Sequence, residues 1–276
     1  MSPPIALITG ATDGIGQRAA LELVQRGWRV IVHGRTLAKA EAARQRLAGA
    51  AAGAQIDIMA GDLGSLVEVR QLARTTLDMH EHIDVLINNA GVFLHEHRLT
   101  PEGFEATLAI NHLAPFVLTH LLLPALERSV AARILNVSSV AHQRGTIDAH
   151  DLDALNRLSG YAAYAASKLA NVLFTYELAR RLGGRAITVN ALHPGVIGTK
   201  LLREGFNMGG ASLEEGAAGE VRLATLPELA RVTGRYYAGT QEARSSQLSH
   251  DRALQRRFYQ WSAEKTGTTP LPEPAH

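Results

Sequence analysis

Short aliphatic runs alternate along this chain with longer stretches in which apolar residues recur at intervals of three and four. The runs at 5–9, 29–33, 55–59, 84–88, 133–138 and 187–192 predict strands, with a short further one at 235–237. Helices are predicted between them at 15–26, 37–47, 65–79, about 101–128 and 164–182. Strands that are apolar throughout, each followed by a helix, indicate a parallel sheet covered on both faces. Right-handed crossovers then give an α/β fold, a doubly wound parallel sheet of about seven strands with helices on both faces.

Residues 1–276 read as a single domain, with no linker rich in Pro, Gly or Ser. Three segments stand outside the regular pattern. Residues 142–160 form a polar insertion. Residues 196–221, carrying Gly205, Gly209, Gly210 and Gly216, are expected to form a mobile lid over a substrate. Residues 266–276, with three prolines, are expected to be a frayed tail.

Composition narrows the chemistry. There is no cysteine, which excludes disulfides, thiolate metal sites and cysteine nucleophiles. A formal net charge of +2, spread along the chain, gives no basis for nucleic-acid binding. The first residues lack a basic, signal-like region. No stretch is expected to reach membrane-spanning length, and the richest, around 113–126 with His112, His120 and two prolines, reads as a buried helix. The expected location is the cytoplasm.

The first strand ends in Thr9-Gly10-Ala11-Thr12-Asp13-Gly14-Ile15-Gly16. Glycines at a strand–helix junction let the backbone approach a pyrophosphate, and the helix N-terminus offers free N–H groups. This makes the fold a Rossmann-type, dinucleotide-binding one. Further on, Tyr164 and Lys168 are four residues apart in a helix and share one face. A free phenol titrates near pH 10, and a neighbouring ammonium is expected to lower that value. Together, turn and pair predict hydride transfer with a tyrosine as proton donor or acceptor.

Order and spacing extend the pattern. Asn88-Asn89-Ala90-Gly91 follows the fourth strand, Asn111 lies in the next helix, Ser138-Ser139 closes the fifth strand, and Pro194-Gly195 with Thr199 follows the sixth. Over about residues 5–240 this resembles the short-chain dehydrogenase/reductase family. The 25-position gap between Ser139 and Tyr164, with Ser138-Ser139-Val140-Ala141-His142, resembles its retinol-dehydrogenase-like branch. The resemblance implies Asn111, Ser139, Tyr164 and Lys168 as the catalytic set. Ser139 would polarise the substrate oxygen, Asn111 would hold a relay water, and Lys168 would also bind the nicotinamide ribose. It implies cofactor contacts from Gly10, Thr12, Asp13, Gly14, Ile15 and Gly16, and an adenine pocket at Asp62 and Leu63. Asn89, Ala90 and Gly91 would line the ribose and pyrophosphate side, while Asn88 braces the strands. The backbone of Pro194, Gly195 and Ile197 would hold the carboxamide, and Thr199 would hydrogen-bond it or a phosphate.

At the end of strand two the chain reads His33-Gly34-Arg35, with no carboxylate. An acid there suits a free ribose 2′-hydroxyl, whereas an arginine neutralises a 2′-phosphate. Arg35, aided by Lys39, therefore predicts NADP(H) over NAD(H), although Asp13 places an acid in the turn. No metal is expected: His95-Glu96-His97 lacks a third ligand. Leu201, Leu202, Phe206 and Met208 suggest a hydrophobic carbonyl substrate. The expected activity is interconversion of a ketone or aldehyde and its alcohol, in a homodimer or homotetramer built through the helices after strands four and five. A nucleotide-sensing binding protein and a sugar-nucleotide epimerase are the alternatives.

Overall fold

A computed structural model describes residues 2–273. Its sheet has strand order β3-β2-β1-β4-β5-β6-β7-β8. The strands are β1 (Ile5–Ile8), β2 (Arg29–Gly34), β3 (Gln55–Ala60), β4 (Val85–Asn88), β5 (Ala132–Val137), β6 (Ile187–His193), β7 (Arg235–Ala238) and β8 (Gln241–Glu242). All neighbouring pairs are parallel except β7 with β8. The two-residue β8, which folds back on β7, takes the sheet from the expected seven strands to eight.

Alternation along each strand builds two cores. Ile5 and Leu7 of β1 face one way, with Ile31, Leu86 and Ile134, toward α3 (Leu66–Met79), α4 (Ala106–Leu126) and α5 (Gly160–Arg181). Ala6 and Ile8 face the other way, with Val30, Val32 and Ile87, toward α1 (Gly14–Gln25), α2 (Leu37–Ala50) and a further helix over Leu213–Thr225. Chain order reverses where β1 lies between β2 and β4, which opens a crevice at the C-terminal ends of the strands.

Several expectations need correction. The helix expected from about 101 begins at Ala106, because Glu105 caps it: its carboxylate accepts from Thr107 N–H at 2.9 Å and Leu108 N–H at 2.7 Å. Ala106–Leu126 is long and apolar enough to span a membrane by length and composition, contrary to expectation. Yet 89% of its most apolar window is buried, as in a core helix.

Much of the segment expected to be a mobile lid, 196–221, is regular helix. A short helix α6 (Lys200–Phe206) is followed by α7 (Leu213–Thr225), which opens with a Ser212–Glu215 capping box and buries Ala217, Val221, Leu223 and Ala224. The tail expected to fray is anchored as far as it is described: Thr266 and Thr268 are buried, and Leu271 N–H donates to Tyr259 Oη at 3.2 Å. The rest of that segment lies outside the described residues.

Helix α8 (Arg252–Thr266) was not foreseen, and it covers α4 and α5. Phe258 packs on His112, Tyr259 packs on Phe116, and the Ser262 hydroxyl reaches His112 Nε2 at 3.0 Å. The 142–160 insertion joins this cover: Asp153 accepts from Trp261 Nε1 at 2.9 Å and Lys265 Nζ at 2.7 Å. Within Ala114–Leu126, only Leu121 and Pro124 escape full burial. The helix pair expected to carry assembly is thus occupied by the chain itself.

Candidate active site

The crevice is a cavity of ≈ 560 Å³ at the C-terminal ends of β1, β2, β4, β5 and β6. Every predicted cofactor residue lines it: the turn from Gly10 and Thr12 to Gly16, Arg35, Asp62, Leu63, Asn89–Gly91, Tyr164, Lys168, Pro194, Gly195, Ile197 and Thr199. Ser139 lines it too. Asn111 lies behind the wall, fully buried.

The glycine turn is fixed from several sides. Gly10 has φ +66°, and a Cβ there would stand 2.9 Å from Ala90 Cα, so only glycine fits between β1 and the Asn89–Gly91 segment. Thr9 Oγ1 accepts from Ala90 N–H at 3.0 Å, and Asn89 Nδ2 donates to Thr9 O at 2.8 Å. Asp13 is the N-cap of α1, accepting from Gly14 N–H at 2.7 Å. This explains an acid in a turn otherwise suited to phosphate. The cleft left beside Gly14–Gly16, with a helix N-terminus at its floor, fits the pyrophosphate of a dinucleotide.

Two residues missed in the sequence brace this turn. His33 is buried, with Nδ1 accepting from Gly10 N–H at 3.2 Å and Nε2 donating to Gly61 O at 3.0 Å. Burial lowers its pKa, consistent with the neutral ring these two bonds require. Arg46 of α2 donates to Thr12 O at 2.9 Å. Neither shows in a motif, since both contacts arise from packing across the fold.

Beyond the turn, Arg35 and Lys39 lie exposed on the cavity rim. Gly34 carries no side chain for a steric reason: a Cβ would meet Thr12 Cγ2 at 2.6 Å and Ala40 N at 3.1 Å. Asp62 does not cap α3. Ser65 does so, and Asp62 Oδ1 instead accepts from Gly64 N–H at 2.8 Å. Asn88 links β4 to its neighbours, donating to Asn136 Oδ1 at 2.8 Å and Thr119 Oγ1 at 3.0 Å. Thr199 caps α6, accepting from Leu202 N–H at 3.2 Å.

At the other end of the cavity the two serines separate in role. Ser138 Oγ is buried and donates to Lys168 O at 2.7 Å. Ser139 is half-buried, accepts from Ala141 N–H at 3.2 Å, and lies beside the Tyr164 side chain, whose pKa it lowers. Lys168 Nζ donates to Val137 O at 3.1 Å and lies 5.7 Å from the Tyr164 ring centre. Burial lowers its pKa to about 8. The expectation that Lys168 lowers the phenol is not met in the protein alone. Desolvation pushes Tyr164 up, and Ser139 beside it is what opposes that shift.

The Asn111 side chain is fully used in holding the fold. Its side chain accepts from Val92 N–H at 2.8 Å and donates to Val92 O at 3.0 Å and Ser167 Oγ at 2.9 Å. Both amide hydrogens are engaged in bracing. It sits in a π-helical turn, Ala109–Leu113, just before Pro115, which has no N–H to return to the Asn111 carbonyl.

Apolar groups close the cavity. Phe206, at the end of α6, lies 4.5 Å from Phe93 and 5.6 Å from Tyr164, ring centre to ring centre. Phe93 is 5.6 Å from Tyr164 in an edge contact. The sequence alone did not single out Phe93.

Crevice, glycine turn and tyrosine–lysine pair define a dinucleotide-dependent oxidoreductase, and the chain belongs to the short-chain dehydrogenase family, whose profile matches residues 4–208. It is retinol-dehydrogenase-like: it is 40% identical over 277 residues to human (Homo sapiens) retinol dehydrogenase 13, covering 95% of this chain and 84% of that protein. A crystal structure of an uncharacterised protein from Mycobacterium paratuberculosis matches with a TM-score of 0.80 and 34% identity, over 98% of this chain and 97% of that one. The Pseudomonas aeruginosa RhlG/NADP active-site complex matches with a TM-score of 0.71 and 27% identity, over 86% and 95% of the two chains. The family's chemistry, NAD(P)-dependent interconversion of a carbonyl and its alcohol, is that of this chain.

Proposed function

We propose that the protein is an NADP(H)-dependent reductase of a hydrophobic ketone or aldehyde, with Tyr164 as the acid. The observation that carries this reading is the Tyr164 phenol, buried beside Ser139 and Lys168 at one end of a dinucleotide cleft. Near neutral pH the phenol is protonated, the form in which it is able to donate to a carbonyl oxygen.

The glycine turn would hold the pyrophosphate, and Asp62 and Leu63 the adenine side. Arg35 and Lys39 present the positive charge that a 2′-phosphate would meet. When bound, the dinucleotide supplies the hydride. Ser139 orients the carbonyl oxygen toward the phenol and stabilises the charge that develops there. Lys168 orients the nicotinamide ribose. With the Asn111 side chain engaged in bracing, we assign the relay-water contact to its main-chain carbonyl, which Pro115 leaves without the usual helical donor. Phe206, which packs on Phe93, lines the cavity and favours an apolar substrate. We further propose a cytoplasmic enzyme that works as a monomer, because α8 and the insertion cover α4 and α5.

The test follows NADPH absorbance with a panel of aromatic, unsaturated and aliphatic carbonyls. Turnover by the wild type and a loss of about 10²–10⁴-fold in Tyr164→Phe, with NADPH affinity unchanged, support the reading. Full turnover in Tyr164→Phe overturns the assigned acid.

A further inference from the structure

His142 is fully buried three residues beyond Ser139, in the 3₁₀ turn Val140–Arg144, and both its ring nitrogens are engaged. Ser246 N–H donates to Nε2 at 3.0 Å, so Nε2 carries no proton. The remaining proton is on Nδ1, which donates to the Ser139 carbonyl at 2.7 Å. Backbone geometry thus fixes a single tautomer, and burial holds the ring neutral by lowering its pKa.

The far side of this link is rigid. Ser246 belongs to a polar cluster in which Ser245 Oγ meets Tyr176 Oη at 2.6 Å and Ser249 Oγ at 2.7 Å. Ser249 Oγ donates to Ser246 O at 2.6 Å, and Gln255 Nε2 donates to Ser249 O at 2.5 Å. The cluster is therefore tied to α5 through Tyr176 and to α8 through Gln255. The ring itself packs on Tyr236 of β7, 4.8 Å between centres.

On the near side, Ser139 is held by its own turn: its carbonyl also accepts from His142 N–H at 3.0 Å and its hydroxyl from Ala141 N–H at 3.2 Å. It follows the last residues of β5 in extended backbone, and its hydroxyl must keep its aim at Tyr164 and the substrate oxygen. A group held only by its own turn moves with that turn, and misplacement by about 1 Å costs on the order of 10²-fold in rate.

We propose that His142 is a positioning residue: it hangs the Ser139 peptide from the Ser245–Ser249 cluster and so sets the direction of the Ser139 hydroxyl. This rests on the assignment of Ser139 above. The C-terminal segment thereby becomes part of the catalytic frame although it touches no reacting atom.

Two substitutions separate the two bonds. Asn is able to reproduce the Nδ1 donor to Ser139 O, whereas Gln is able to reproduce the Nε2 acceptor for Ser246 N–H. Each variant keeps one bond and breaks the link, so both His142→Gln and His142→Asn are expected to lower kcat about 10- to 100-fold with KM and NADPH affinity near wild type. In a Ser139→Ala background, His142→Gln should cost little further, since its effect passes through Ser139. A wild-type kcat in His142→Gln, or an equal loss with and without Ser139, overturns the proposal. Imidazole nitrogen NMR on the unmodified protein tests it independently of folding variants: a proton on Nε2 overturns it, and one on Nδ1 supports it. A wild type inert toward every carbonyl in the panel would instead count against the reductase reading, and the tautomer measurement would still decide the His142 link.

Discussion

The Lys168 ammonium donates to the Val137 carbonyl at 3.1 Å, at the end of β5, with the Tyr164 ring centre 5.7 Å away. The same carbonyl also accepts from Asn171 Nδ2 at 3.2 Å. Lys168 is thus buried with no carboxylate among the groups that set its pKa, which burial alone takes to about 8.

This arrangement predicts a conflict between stability and activity. The lysine's pKa in the fold is below its unfolded value near 10.5. Stability therefore rises with pH between about 8 and 10.5, and below 8 the fold carries the full cost of the buried charge. Lys168→Met removes that charge and leaves Val137 O paired with Asn171. The variant should be inactive yet more stable at pH 7 by about 1–3 kcal/mol, an advantage that fades toward pH 10.5. Thermal unfolding at the two pH values checks this, and a variant less stable at pH 7 would contradict it.

Glu220 in α7 presents the opposite sign. It is fully buried, neither carboxylate oxygen has a hydrogen-bond partner among the described residues, and burial raises its pKa to about 8. The fold holds it protonated where the unfolded chain ionises. Its contribution is greatest below about pH 4.5 and is lost as pH rises to about 8. Glu220→Gln cannot ionise. Relative to wild type it should gain about 1–3 kcal/mol between pH 4.5 and 8, read from urea midpoints. Parallel curves for the two proteins would refute the buried acid.

On the proposed reading cofactor choice hinges on Arg35, since Gly34 supplies no acid and a Cβ there would crowd Thr12 and Ala40. Arg35→Asp should lower kcat/KM with NADPH about 10- to 100-fold, the worth of one charge-assisted phosphate contact, while NADH gains ground. Initial rates with the two dinucleotides measure the ratio. An unchanged ratio would place phosphate recognition elsewhere.

Coverage of α4 and α5 by α8 predicts a single-chain species. Sedimentation velocity at micromolar concentration should show the mass of one chain. Trp261→Ala, which removes a largely buried ring and its bond to Asp153, should lower stability by about 3–5 kcal/mol. A stable dimer in the wild type would mean that another surface associates.

The alternation of aliphatic runs and helical periods was enough to define the parallel sheet, because a strand buried on both faces must be apolar at every position and a covering helix must show a stripe. The glycine turn and the Tyr164–Lys168 pair were legible for the same reason, since their chemistry depends on spacing of three or four residues. What the local pattern could not carry was decided by contacts between segments far apart. Ser138 and Ser139 differ only in what the folded chain places beside them. His142 gains its meaning from Ser246, 104 positions later. Helix α8 matters through the face it covers, and Tyr164 is raised rather than lowered because desolvation depends on the whole surround, whereas spacing reports only the nearest charge.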